Sequence, residues 1–124
     1  MHGNFQIHSV DDFYAILGGA PDSVKKAVVF IPVTKQQKQK LENIVATYLK
    51  QAPYDYAFLG MRCGAATYEI LGQLGILDSY SLKKTSKKIF YPMLLRKRLF
   101  AKSKINNWTI ERQEGSLKRK WEQD

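Results

Sequence analysis

The stretch YDYAFLGMRCGAATYEILGQLGIL, residues 54–77, decides how the chain is read. It holds the only cysteine, Cys63, flanked by Arg62 and Gly64. An aromatic, irregular segment over 54–61 gives way at Cys63 to helical spacing. Cys63, Ala66, Thr67, Ile70, Leu71 and Leu74 fall on one face. Gly75 then supplies a residue suited to the position just past a helix end. The spacing therefore predicts a helix opening at Cys63, with the cysteine in its first turn and on the core-facing side.

The surrounding chain sets the scale. At 124 residues, with 44% hydrophobic side chains, it reads as one globular domain with one core. No apolar run approaches the ~20 residues that span a bilayer. The start, MHGNFQIHSVDD, has neither a basic nor an apolar region typical of a secretory signal, so cytoplasmic placement is the default. One cysteine excludes an intramolecular disulfide, and with only two histidines a cysteine-rich zinc site is excluded too. No metal and no cofactor is expected. The compartment's redox state is not readable.

The charge is uneven. Residues 1–82 carry seven Lys/Arg against seven Asp/Glu and sum to zero. Residues 83–124 carry thirteen against four, and so hold the whole net charge of +9. The basic third is either a segment with its own role or a well-solvated tail.

Upstream, 5–8 reads as a short strand, and Ser9 can cap a helix over 12–17 whose first turn favours Asp11 and Asp12. The run AVVFIPV, residues 27–33, reads as a buried strand, ending or lying at an edge near Pro32. Thr34 then caps an amphipathic helix to about residue 51, with Leu41, Ile44, Val45, Tyr48 and Leu49 on its apolar face. Downstream, 83–88 reads as a polar, basic connection and 89–100 mixes apolar and basic residues around Pro92. Trp108, Ile110 and Arg112 alternate as in a short strand.

Cysteine at a helix start has a chemical reading and a plain one. The thiolate is the nucleophile, and helix N-terminal amides favour an anion, so Cys63 is a candidate nucleophile with Arg62 adding positive potential. Amides at the same helix start can also hold a developing oxyanion. The plain reading is a small buried side chain sharing a face with Ala66, Ile70 and Leu74. A nucleophile needs a base, and His8 is the provisional one, since His2 lies at the chain terminus.

The order of elements resembles the circularly permuted papain-like hydrolases, the NlpC-type amidases and the relatives of lecithin:retinol acyltransferase. The segments carrying the resemblance are AVVFIPV, TKQQ, YDYAF and MRCGAATYEIL, within about residues 5–77. It implies an α+β, papain-like fold with a small antiparallel sheet packed against the Cys-bearing helix and a second amphipathic helix. It also implies a thiol hydrolase or acyltransferase with Cys63 as nucleophile, acting on an amide or ester bond of a cell-envelope polymer or lipid. Envelope association would follow. Two departures stand beside it. The family's histidine strand has no clear equivalent, because NFQIHSVDDF matches a later portion of the pattern, and Arg62 stands where Asn or Tyr is common.

The alternative class is a non-catalytic scaffold of the same kind, binding polyanions or an anionic envelope surface. Lys83, Lys84, Lys87, Lys88, Arg96, Lys97, Arg98, Lys102 and Lys104 are interleaved with Phe90, Tyr91, Phe100 and Trp108. No specific nucleic-acid recognition motif is present. The plain reading here is a solvated face with Tyr91, Leu94, Leu95 and Leu99 packed inward.

Overall fold

In the computed structural model, residues 5–7, 9, 12, 26–55 and 60–114 are described. They form an α+β arrangement of four helices and one two-stranded antiparallel sheet. Strand β1 (Lys26–Phe30) is followed by α1 (Lys35–Lys50), α2 (Cys63–Gln73), α3 (Leu82–Lys88), α4 (Pro92–Asn106) and strand β2 (Thr109–Gln113). The two strands lie at opposite ends of this order and pair in register, Lys26 with Gln113 and Phe30 with Thr109.

Helix α1 starts where its sequence says it should. Thr34 Oγ1 accepts from the Gln37 N–H at 3.1 Å, and Gln37 Oε1 accepts from the Thr34 N–H at 2.9 Å, a complete capping box. Gln37 does more than cap. Its amide donates to the Leu74 carbonyl at 2.9 Å, tying the start of α1 to the end of α2.

Helix α2 ends in a Schellman motif. The Ile76 N–H reaches the Leu71 carbonyl and the Gly75 N–H reaches Gly72, each at 3.1 Å, while Gly75 takes a left-handed φ of +74°. Ile76 is thereby turned into the core.

The face that α2 buries differs from the expected one. Gly64, Ala65, Tyr68 and Gly72 are buried, whereas Thr67 and Cys63 are exposed. Contact distance explains the rotation. A Cβ on Gly64 would stand 3.2 Å from the Pro92 Cα, and one on Gly72 would stand 3.4 Å from the Ser79 Cα. Small residues let the backbones approach, and hydropathy is blind to that.

Helices α3 and α4 are the main neighbours of α2. The 83–88 segment, expected as a connection, is helical: Ser81 Oγ caps the Lys84 N–H at 3.2 Å, and Lys87 and Lys88 sit at the negative end of the helix dipole. It buries Thr85 and Ser86, whose hydroxyls donate to the carbonyls of Tyr80 and Lys83. Pro92 opens α4 at a position where its missing N–H costs nothing, and Asn107 closes it in a left-handed conformation, φ 56°. Leu94, Leu95, Leu99 and Trp108 pack on the core, but Tyr91 points to solvent. The basic third thus supplies core as well as charge.

The sheet corrects two expectations. Its principal helical neighbour is α4, not the Cys-bearing helix. The strand is shorter than 27–33 and is not buried on both faces, since Val28 and Phe30 are exposed. A two-stranded ribbon has one sheltered face, here with Val29 opposite Ile110, and one open face with Val28 opposite Glu111.

Near the amino end, residues 5–7 are irregular rather than a strand. Ser9 Oγ accepts from the Asp12 N–H at 3.1 Å, the cap expected there, while 13–17 of the expected helix lie outside the described residues.

Candidate functional site

Cys63 is the first helical residue of α2, directly after the extended backbone of Arg62 (φ −119°, ψ 176°). Arginine has no acceptor atom, so its side chain cannot cap the helix. The first intrahelical bond is from the Ala66 N–H to the Arg62 carbonyl at 2.8 Å. The amides of residues 63–65 therefore precede the helical ladder and point along the axis toward the thiol end. No acidic side chain occupies this first turn. The Arg62 guanidinium lies over the Phe90 ring, 5.1 Å from its centroid, which fixes a cation beside the helix start.

The thiol is exposed. Among the described residues it has no hydrogen-bond partner, and Thr67 Oγ1 donates instead to the Cys63 carbonyl at 3.0 Å. The expected base, His8, lies outside the described residues, as does His2. The plain expectation of a buried structural cysteine is overturned, because close packing against Pro92 is given to Gly64 and not to its neighbour.

A polar cluster that sequence spacing did not reveal joins α1 to α2. The Tyr48 hydroxyl donates to the Glu69 carboxylate, 3.0 Å from each oxygen. The Gln73 amide contacts both Glu69 and the Tyr48 oxygen, the latter at 2.6 Å. Phe5 and Tyr54 pack on Tyr48 with ring centroids 5.1 and 6.5 Å away. Burial raises the Tyr48 hydroxyl above its ordinary range, and the neighbouring carboxylate adds to the effect. Tyr54 is raised further by burial, its Oη having no hydrogen-bond partner among the described residues. Glu69 and Gln73 sit one turn apart on α2, a visible i, i+4 pair, but the sequence, which places Tyr48 on the apolar face of α1, does not pair it with them. Glu69 and Gln73 also line a cleft of about 270 Å³ against Ser79, Tyr80 and Ser81.

The second chemical feature is charge. Between Asp78 and Glu111 the chain has nine Lys/Arg and no Asp or Glu. That span includes all of α3 and α4. Among the described residues none of these nine cations is paired with a carboxylate. Three rest on rings instead: Lys84 and Lys88 over Tyr80 at 4.8 and 5.1 Å, and Arg98 over Tyr68 at 6.0 Å.

Among the described residues no helix is long and apolar enough to cross a membrane, and no His/Cys/Asp/Glu group is arranged to hold a metal ion. No family model, curated protein or solved structure matches the chain.

Proposed function

We propose that the chain is a thiol hydrolase or acyltransferase acting on an amide or ester bond, with Cys63 as nucleophile on a papain-like scaffold. The supporting observation is the exposed thiol on the first residue of α2. A structural cysteine gains its stability from burial, whereas a nucleophile must meet its substrate. In this reading the sulfur bonds to the substrate carbonyl carbon, and the amides opening α2 hold the oxyanion that forms. The amine or alcohol then leaves with the proton taken from the thiol, through His8 as base. Water, or an acceptor nucleophile, cleaves the thioester and restores Cys63. Cell-envelope polymers and lipids are the substrate classes that the resemblance favours.

The test is the alkylation rate of the folded protein by iodoacetamide at neutral pH, followed by mass spectrometry. Cys63 is expected to react at least about tenfold faster than a model thiol, as an activated thiolate does. A rate equal to or below that of the model thiol sinks the reading, and exposure alone would not rescue it.

A second reading has its own observation, the acid-free span covering α3 and α4. On it the chain is a non-catalytic module binding polyanions or an anionic envelope surface. Heparin binding should then weaken steeply with salt, through counterion release, and persist in Cys63→Ala. Binding that is absent, or indifferent to salt, removes this reading.

A further inference from the structure

A concavity of about 700 Å³, open to solvent, lies between the C-terminal end of α4 and strand β2. Phe100, Lys104, Asn107, Trp108, Ile110 and Arg112 line it, and no carboxylate does. Its charged groups are both cations, Lys104 and Arg112, and two aromatic rings, Phe100 and Trp108, line it beside Ala101 and Ile110. Glu111 lies between Ile110 and Arg112 on the strand, so alternation turns it to the other face, opposite Val28.

The geometry points to a single-stranded nucleic acid as the occupant, with an unpaired base stacked in the groove and its backbone following the lysines of α4. Two observations carry this. The first is a prebuilt stacking surface: the Arg112 guanidinium sits 4.9 Å from the Phe100 ring centroid, beside the half-buried Trp108. Guanidinium planes and aromatic rings are the surfaces on which splayed bases stack. The second is charge complementarity beyond the groove. Lys104 lines it, and Lys97, seven residues earlier, shares that side of the helix, both being exposed. Arg96, one turn before Phe100, adds a third exposed cation.

A duplex keeps its base faces covered, so it offers phosphates but nothing to stack. An anionic lipid surface would use the cations but not a concave aromatic floor. Asn107, held at the helix cap with φ 56°, adds an amide that can bond a base edge without choosing one sequence. This inference rests on the polyanion reading of the basic helices and does not depend on Cys63.

The test compares binding of the full chain to a labelled oligothymidylate, an abasic strand of equal length, heparin, and phosphatidylserine vesicles at one salt concentration. The base-bearing strand should bind about tenfold tighter than the abasic one, the worth of roughly one stacked base. Phe100→Leu, which keeps an apolar side chain against the helix, should erase that difference while leaving abasic binding unchanged. Lys104→Gln should weaken both strands alike. Equal affinity for the two strands in the unaltered protein overturns the base-stacking inference and leaves the polyanion reading standing. Vesicle binding without strand binding also overturns it in favour of a lipid surface. Failure to bind strands, heparin and vesicles overturns both.

Discussion

Replacing Tyr68 with Ala should cost about 3–5 kcal/mol of folding stability, the range for deleting a large buried aromatic. Tyr68 is 1% exposed and is the largest of the fully buried side chains. Its ring stacks on Tyr80, with centroids 6.0 Å apart and planes 13° from parallel, and the Arg98 guanidinium approaches it. It stands on α2 between Ala65 and Gly72, neither of which has side-chain volume to collapse into the space. A domain this size holds only about 5–15 kcal/mol in total, so the loss is a large share of it. Urea denaturation followed by circular dichroism should show the midpoint falling by about 1–5 M, given a slope of roughly 1–3 kcal/mol per molar. Cys63→Ala, on the exposed side of the same helix, should change stability by less than about 0.5 kcal/mol. If the two substitutions cost the same, the observed orientation of α2 is wrong and the hydropathy-based face is right.

The second large effect is alkaline lability. Tyr48, Tyr54 and Tyr68 all have hydroxyls raised above the ordinary value of 10.0, with burial as the largest cause in each. Charge on Glu69 adds to the rise at Tyr48 and Tyr54, while Arg98 opposes it at Tyr68. A raised folded value means the native chain keeps protons that the unfolded chain releases. Stability from these groups is complete below about pH 10 and is lost as pH climbs toward the folded values. Each contributes a slope of at most about 1.4 kcal/mol per pH unit, reduced where the ring is partly solvated. The urea midpoint should therefore fall steeply above about pH 10, with the ring NMR signals of Tyr48, Tyr54 and Tyr68 changing to those of phenolate together with unfolding. Tyr54→Phe should flatten the fall and be neutral or stabilising at pH 7, because the Tyr54 Oη leaves no hydrogen bond to lose among the described residues. Phenolate at Tyr48, Tyr54 or Tyr68 in the still-folded protein near pH 10 would contradict the burial of these rings.

Local signals were legible wherever a short-range interaction decides the outcome. The Thr34 cap, the α1 helix, the opening of α2 at Cys63 and the Gly75 stop all depend on hydrogen bonds within six residues, and the structure has each. The alternation of Ile110 and Arg112 likewise foretold β2. The α3 helix escaped notice because its seven residues bury two hydroxyl side chains, Thr85 and Ser86, and no apolar stripe marks it. The apolar run at 27–33 overstated burial, since a strand's composition does not say how many neighbours its sheet will have.

The candidate site divides the same way. Sequence alone placed Cys63 at a loop-to-helix junction and placed an excess of cations in the last third, because both follow from residue order. Only the tertiary structure decided which way α2 faces. That choice turns on Gly64 and Gly72, the positions where a Cβ would press on Pro92 and Ser79. Glycine carries no hydropathic signal, so the close approach that buries it, and leaves Cys63 in solvent, becomes visible only once the helices are packed.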